Sequence, residues 1–378
     1  MKTNPTNSSP PPPETPRGLG NDCPQGLRSA DDEHAVPTGS NATARRAFSA
    51  FTLRGAALAC AAVLAFAGTA GVPGTALSAE GGARGKRVGY ITFGLQFEYQ
   101  VAMVEGIKKK AADAGLVLQI VDGKGDPNLQ VTEALDAVTK QPNALLINPV
   151  DAKLIVAGVK RANEASIPVF IMENPPPEGK YLGFVDFDNE GGGAMGADEL
   201  AKLIGEKGVV LETRGSIGSD QAQLRHKGFV DRIKEKYPNV EVRSLNTEWV
   251  ADNAYKMVLD AFTQNPGIKG VFSHNDEMVR GVVSALRQIN KLVPAGKDGH
   301  VAVVGLDGTP LAMDRIRQGT QDASVGQDPY AMGGIILNDI IAYFEGKPFD
   351  PKGRTEPVLI TKENVDDPNL WGNFGRKK

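Results

Sequence analysis

Cysteine is almost missing from this sequence of 378 residues, which contains only Cys23 and Cys60. Both lie ahead of the region where a regular pattern of strands and helices begins. A disulfide framework and a cysteine-ligated metal are therefore excluded for the folded part. The chain also has no large excess of charge of either sign, since its formal net charge is only -3. The chain lacks the basic surface that attracts nucleic acid or acidic membranes, and we expect no nucleic-acid partner.

The sequence also lacks the motifs of common catalytic sites. Outside the leader, its histidines are His226, His274 and His300, and none belongs to a His-Glu-x-x-His motif or another metal-ligand pair. There is no Gly-x-Ser-x-Gly elbow and no calcium-binding loop of alternating aspartates. We therefore expect no catalytic residue, no metal and no cofactor.

Residues 1–79 predict export rather than a folded domain. Residues 1–44 are rich in Pro, Ser, Asn and Gly and predict a polar, disordered leader. Residues 45–79 predict a signal peptide, because Arg45-Arg46 precedes the apolar run Ala56–Val72 and small residues follow it. The apolar run is short for a membrane span, and Sec and twin-arginine export both stay open. We expect a periplasmic or extracellular protein after cleavage.

From Lys86 onward, short apolar strands alternate with amphipathic helices. This alternation predicts an α/β protein with parallel sheets and helices on both faces. About ten strand–helix units are too many for one small sheet, so two similar lobes are expected. Among the predicted elements are a helix over Asp151–Ala165 and a last strand over Glu356–Thr361.

A glycine-rich segment, Gly191–Gly196, raises the alternative of a nucleotide-dependent α/β enzyme. Its spacing fits the Gly-x-Gly-x-x-Gly fingerprint, and Glu212 ends the next predicted strand, where an acidic residue would bind a ribose. However, the segment lies in the middle of the chain. Glycines there also permit close packing of a helix on a sheet, with Asp188 or Asn189 as the helix cap.

Polar and aromatic side chains follow the predicted strands at the points where they end or within the next helix. Parallel strands place such residues at one edge of each sheet, where open α/β sheets bind ligands. Amides, carboxylates and a guanidinium match the donors and acceptors of neighbouring hydroxyl groups, and aromatic faces suit the C–H side of a sugar ring. The polar residues are Asn148, Glu173, Arg225, Asn275, Asp307 and Gln327, and the aromatic residues are Phe93, Phe97, Tyr99 and Trp249.

The segments Leu145–Asp151, Phe272–Met278, Val303–Pro310 and Ala323–Gln327 resemble the periplasmic sugar-binding proteins of ABC importers, of the ribose/galactose type. The resemblance extends from Lys86 to about Lys362. It implies two Rossmann-like lobes with parallel sheets, joined by a three-crossover hinge, which is the type I periplasmic binding protein fold. Lobe 1 would contain residues 86–187 and 328–359, and lobe 2 residues 188–327 and 360–378.

The same resemblance implies which residues contact a sugar in the cleft. It carries this role to Trp249, to Tyr99 with Gln100, and to the polar set Asn148, Arg225, Asn275, Asp307 and Gln327. Phe93, Phe97 and Phe187 occupy positions where ribose-binding relatives have smaller or polar residues. Glu173-Asn174 replaces an Asp-Arg pair. We therefore expect a hexose, deoxysugar, alditol or cyclitol to fit at least as well as ribose.

The implied partners are an ABC permease with its ATPase and a sugar or polyol as ligand, with a monomer as the binding unit. A ligand-presenting sensor subunit for a membrane receptor is an alternative with the same fold. The lactose-repressor family also shares this core, but its members begin with a DNA-binding helix-turn-helix. Here that region is a polar leader and a signal, which excludes the repressor.

Overall fold

The computed structural model describes residues 82–375, so the predicted leader and signal peptide lie outside the described residues. Strands and helices alternate over this range, as the sequence predicts. The strands are β1 (Arg87–Thr92), β2 (Val117–Asp122), β3 (Ala144–Ile147), β4 (Val169–Met172), β5 (Gly183–Phe187), β6 (Gly208–Arg214), β7 (Val240–Asn246), β8 (Gly270–Ser273), β9 (Ala302–Asp307), β10 (Ala323–Gly326), β11 (Lys352–Thr355) and β12 (Val358–Ile360). The helices are α1 (Glu98–Asp113), α2 (Pro127–Thr139), α3 (Val156–Glu164), α4 (Asn189–Leu203), α5 (Asp220–Lys236), α6 (Ala251–Gln264), α7 (Asp276–Gln288), α8 (Pro310–Gln318) and α9 (Pro329–Phe344).

The strands form two sheets of six, one in each lobe, as predicted. Lobe 1 has the strand order β11-β5-β4-β3-β1-β2, and all of its pairs are parallel. Lobe 2 has the order β12-β10-β9-β8-β6-β7. Its pairs are parallel except that of β12 with β10, which is antiparallel. The two-lobe α/β fold expected from the resemblance is therefore confirmed.

The chain passes between the sheets three times. It leaves the first sheet after β5, returns after β10, and crosses again between β11 and β12. The sequence placed the last crossing near Leu359 within a single strand, but Leu359 lies inside β12 and pairs with Val325 of lobe 2. The crossing instead occupies Glu356 and Pro357. Because β11 ends at the cleft edge of its sheet, β12 enters the second sheet from that edge and runs against its neighbours.

Helices cover both faces of each sheet. In lobe 1, α1 packs against α9 on one face and α2 against α3 on the other, while in lobe 2 the pairs are α4 with α5 and α6 with α7. The strands β3, β4 and β8 are wholly buried between these helices, which is why they are runs without polar alternation. Among the described helices, none is long and apolar enough to cross a membrane.

Short polar side chains start many of the helices at the cleft edge. Asp188 caps α4, Asn275 caps α7 and Thr309 caps α8, each by accepting a hydrogen bond from a backbone N–H in the first turn. Asp151 differs from the prediction, because its carboxylate binds the N–H groups of Lys153 and Leu154 in a turn. The helix that follows starts only at Val156.

Candidate functional site

A cleft between the two lobes has walls made of side chains from both. The space in this cleft that the centre of a water-sized sphere can occupy is about 40 Å³, so the walls lie close together. Its lining residues are Phe93, Phe97, Tyr99, Gln100, Glu173, Gln221, Arg225, Trp249, Asn275, Asp307 and Gln327. All of the residues selected from the sequence therefore line the cleft, except Asn148. That residue is fully buried behind the wall, where its amide binds Gln100 and Glu173.

Arg225 is the cation of the cleft and is held rigidly by its own lobe. It projects from α5, and its Nε donates to Asn189 Oδ1 at 2.8 Å while Nη1 donates to the backbone oxygen of His274. The guanidinium lies 5.7 Å from the ring centre of Trp249 and 5.9 Å from that of Phe187, within range for cation–π attraction. Burial lowers the pKa of Arg225, against the pull of Asp307 and Glu173. An arginine stays protonated in spite of this.

Asp307 ends β9 and is the carboxylate of the second lobe. Its Oδ1 accepts a hydrogen bond from Gln327 Nε2 at 2.7 Å and lies 3.9 Å from Arg225 Nη1. Its backbone oxygen accepts a hydrogen bond from Trp371 Nε1 at 2.9 Å. Burial raises the pKa of Asp307 well above its usual range, and the nearby guanidinium of Arg225 acts in the opposite direction. The hydrogen bond from Gln327 also favours the charged form, but burial is the largest influence.

The first lobe supplies Glu173 and a group of aromatic rings. Glu173 Oε2 accepts hydrogen bonds from Gln100 Nε2, at 2.9 Å, and from Asn148 Nδ2. Burial raises the pKa of Glu173, opposed by the hydrogen bonds from Asn148 and Gln100. Phe93 and Phe97 pack edge to face with ring centres 5.5 Å apart. One wall of the cleft is therefore largely apolar.

Three lining residues have a positive φ angle, a backbone conformation that residues other than glycine rarely adopt. Glu173 has φ of 62°, Trp249 of 64° and Asp307 of 127°. Such conformations cost of order 1–3 kcal/mol each and are concentrated at functional sites in proteins. Each of them follows or ends a strand, where the surrounding sheet fixes the chain. The strained backbone therefore directs these three side chains into the cleft and lowers the folding stability of the protein.

Several buried polar atoms around the cleft have no hydrogen-bond partner in the described part of the chain. They are Asn148 Oδ1, Trp249 Nε1 and Gln327 Oε1, together with the hydroxyl group of Tyr90 on β1. Buried polar groups in proteins are nearly always paired, and an unpaired one costs about 1–3 kcal/mol. Of these residues, Trp249 and Gln327 line the cleft, so the second-lobe wall presents a donor and an acceptor that a polar ligand would complete.

The two lobes touch beside the cleft. Asn174 of lobe 1 accepts a hydrogen bond at 2.8 Å from the backbone N–H of Asp220, at the start of α5. Gly218 lies so close to Asp151 that a Cβ atom would stand 2.0 Å from its carboxylate. Phe93 also belongs to the same apolar cluster as Trp249 of lobe 2. The structure is therefore a closed form of the two-lobe protein.

The glycine-rich segment Gly191–Gly196 serves helix packing. A Cβ atom on Gly193 would lie 2.2 Å from the backbone oxygen of Arg225, and one on Gly196 would lie 2.3 Å from the ring of Phe272. Only glycine allows α4 to lie this close to α5 and the sheet. The sequence-based role of Glu212 as a ribose ligand is not supported by its surroundings, because Glu212 is fully buried.

The partners of Glu212 are His226, His274 and Ser244, all through hydrogen bonds. Burial acts to raise the pKa of Glu212, but the hydrogen bonds from His226, His274 and Ser244, with the electrostatic interaction with His274, outweigh it and lower the pKa to about 2. The hydrogen bonds of this carboxylate are thus all made to residues of lobe 2. Since the backbone oxygen of His274 holds Arg225, the cluster supports the cleft wall from behind.

Sequence reasoning missed three residues that shape the cleft. Gln221 lines it directly and stands four residues before Arg225, so the helical spacing could have revealed it. Asn189, noted only as a helix cap, orients the guanidinium. Trp371 binds the backbone of Asp307 from 64 residues away in sequence, and its ring lies 6.1 Å from that of Tyr99. No local pattern indicates that contact.

Comparison with known proteins identifies the family. The family described as a periplasmic binding protein domain matches residues 88–348, and the chain belongs to it. The ribose import binding protein of Escherichia coli (strain K12) is 28% identical over 263 residues, which are 70% of this chain and 86% of that protein. The resemblance inferred from the sequence is therefore confirmed.

Solved structures agree with this assignment. A periplasmic solute-binding protein of an ABC transporter from Actinobacillus succinogenes 130z, with bound D-allose, has a TM-score of 0.68 and 25% identity, covering 75% of this chain and 99% of that one. A galactofuranose binding protein also has a TM-score of 0.68 and 25% identity, covering 75% of this chain and 96% of its own. The relatives from Escherichia coli and Actinobacillus succinogenes are binding proteins of transport systems.

Proposed function

We propose that this protein captures a sugar or related polyol in its interlobe cleft and delivers it to an ABC importer, without chemical change. The observation that carries this proposal is the pair of unpartnered buried atoms on residues that line the cleft, Trp249 Nε1 and Gln327 Oε1. Contacts from both lobes favour the closed form when a ligand is bound, because only the closed form satisfies both halves of the site. A cleft that pairs the hydroxyl groups of a small polyol reaches micromolar affinity, about -8 kcal/mol.

The ligand contacts that we propose are those of the sequence prediction, with Gln221 added. Arg225, Asn275, Asp307 and Gln327 would bind hydroxyl groups from the second lobe, and Glu173 with Gln100 from the first. Phe93, Phe97, Tyr99 and Trp249 would cover the apolar edges of the ring. Asn148 would act mainly by orienting Glu173 and Gln100, since it lies behind the wall.

The ligand should have an apolar edge, and we propose that ribose is not the preferred one. The related protein from Escherichia coli imports ribose, while that from Actinobacillus succinogenes holds D-allose. Here Phe93 and Phe97 occupy the first-lobe wall. A hydroxyl group that faced these rings would lose its water without gaining a partner, which costs about 1–3 kcal/mol. A hexose, deoxysugar, alditol or cyclitol can instead direct C–H groups toward them.

The proposed cellular setting follows from the family and the leader. We propose export by the signal at residues 45–79, which lies outside the described residues, and docking of the closed form on a membrane permease with its ATPase. We propose a monomer as the binding unit, because the two lobes of one chain supply both walls of the cleft. Mass spectrometry of the exported protein should find an amino terminus near Glu80.

A thermal-shift screen followed by titration calorimetry tests the binding function. The panel would contain D-ribose, D-allose, D-galactose, L-fucose, ribitol and myo-inositol. At least one member should raise the melting temperature and bind with one site per chain, and ribose should not bind most tightly. Failure of the whole panel to bind would reject the polyol proposal, while a clear preference for ribose would reject only the role assigned to the phenylalanines.

A further inference from the structure

The charges on the cleft wall do not balance. Two carboxylates, Glu173 from lobe 1 and Asp307 from lobe 2, face the single guanidinium of Arg225, and the other lining side chains are neutral. All three charged groups are buried. An uncompensated charge in a buried site is strongly unfavourable, and the usual result is that the group changes its protonation state. A closed cleft around a neutral ligand therefore holds one negative charge too many.

The surplus charge falls on Glu173. Arg225 Nη1 lies 3.9 Å from Asp307 Oδ1, so Asp307 has an ion-pair partner. Within residues 82–375, no Lys, Arg or His nitrogen lies within 4.0 Å of the carboxylate of Glu173. Its hydrogen-bond donors are the neutral amides of Gln100 and Asn148, and both of them bind the same oxygen, Oε2.

The groups around Glu173 come from several elements and bring no second cation. Tyr90 on β1 and Tyr99 on α1 are buried phenols whose pKa burial raises, so both stay neutral. Arg225 on α5 favours the charged form of Glu173 from a distance, and Gln221 on the same helix acts in that direction. Asp307 on the far wall is a second anion, whose pKa the charge of Glu173 helps to raise. Burial is the largest influence on Glu173 and raises its pKa.

We propose that Glu173 binds a proton when the cleft closes around a neutral polyol. This inference rests on the proposed function and adds the charge class of its ligand. A protonated Glu173 keeps Oε2 as the acceptor for both amides, and its carboxyl group gains a donor hydrogen for a ligand oxygen. A ligand with an ammonium group beside Glu173 would bind without the proton. Ligands with a carboxylate or phosphate group would meet an excess of negative charge and be disfavoured.

The proton linkage has a defined sign. Glu173 has a higher pKa in the closed form than in an open, hydrated cleft, where a glutamate titrates near pH 4.3. Affinity for a neutral polyol is therefore highest below the open-form pKa. It falls by up to about tenfold per pH unit as the pH rises from the open-form to the closed-form pKa, and is constant above it.

Calorimetry measures the proton directly. The panel member with the lowest Kd would be titrated into the protein at about pH 6 in phosphate and in histidine buffer, whose ionisation enthalpies differ. The dependence of the observed heat on buffer gives the number of protons bound. We expect net uptake by the wild type, no uptake by Glu173→Gln, and wild-type behaviour for Glu178→Gln, an exposed glutamate of the same lobe.

The outcomes separate this inference from the proposed function. No uptake by the wild type at any pH between about 5 and 8, with an unchanged Kd, would overturn the role of Glu173. Uptake that persists in Glu173→Gln would also overturn it, because the proton would then belong to another group. If Glu173→Gln does not fold, an absence of proton uptake by the wild type still overturns the role of Glu173. If no panel member binds, the proposed function itself is wrong.

Discussion

The two walls of the cleft are built in different ways. The second-lobe wall is polar, and its main groups are fixed by their own lobe, since Asn189 and His274 hold Arg225 while Gln327 and Trp371 hold Asp307. The first-lobe wall is aromatic, with one carboxylate, Glu173, that only neutral amides bind. The second lobe is thus suited to recognising hydroxyl groups, whereas the first lobe covers the ligand and sets its charge.

This difference has a physical basis in preorganisation. A charged group held by several hydrogen bonds loses little freedom when a ligand arrives, so most of its interaction appears as affinity. Rings such as Phe93 and Phe97 act through burial of apolar area, which depends on the closed form. Substitutions in the second-lobe wall should therefore weaken binding more than comparable substitutions in the first.

The largest effect is expected for Asp307→Ala. The substitution leaves Arg225 without its carboxylate and removes the acceptor at the centre of the second-lobe wall. We expect affinity to fall at least about 100-fold, roughly 3 kcal/mol, with the fold retained. Calorimetry measures the affinity and circular dichroism the fold, with Asp260→Ala on the exposed side of α6 as the control. An unchanged Kd would show that Asp307 does not contact the ligand.

Trp249→Phe and Phe97→Leu compare the two walls directly. Trp249→Phe removes the unpartnered Nε1 donor and weakens the contact with Arg225, so a loss of about tenfold in affinity is expected. Phe97→Leu keeps an apolar side chain and should weaken binding by only about threefold. Both Kd values come from calorimetry with the same polyol. A greater loss for Phe97→Leu would reverse the assignment of the two walls.

Trp371→Phe tests the support of Asp307 from the carboxyl-terminal segment. The variant keeps an aromatic ring beside Tyr99 but loses the hydrogen bond to the backbone of Asp307, so affinity should fall about fivefold. Trp249 is then the single tryptophan, because the sequence has two. Its fluorescence reports binding from inside the cleft. If the titration gives the wild-type Kd, the hydrogen bond serves only the fold.

Asn174→Ala should have as small an effect on affinity as Phe97→Leu, because it acts on closure rather than on the ligand. It removes the bond from Asp220 N–H, which joins the lobes beside the cleft. We expect a loss of about threefold in affinity. Small-angle scattering of the ligand-free variant should also give a larger radius of gyration than the wild type. Asn163→Ala, which removes bonds made only within lobe 1, is the matched control. Equal curves for both variants would argue against closure through Asn174.

Much of the site could be predicted from the sequence because the geometry of parallel sheets is local. Asp307 ends an apolar strand and Asn275 lies two residues after one, and parallel strands bring such ends to one edge. The same regularity predicted the α/β class and the two lobes. Gln221 followed from the same helix geometry but was overlooked, since its spacing from Arg225 is one helical turn.

Other features depended on the tertiary structure, because contacts distant in sequence produce them. Sequence periodicity cannot show that β12 enters the second sheet backwards, since direction depends on the edge at which the chain crosses. It cannot show that Trp371 reaches Asp307, or that Asn148 lies behind Glu173. The charge surplus on Glu173 is likewise a tertiary property. The residue type supplies a carboxylate, but only burial and the distance from Arg225 decide how that charge is compensated.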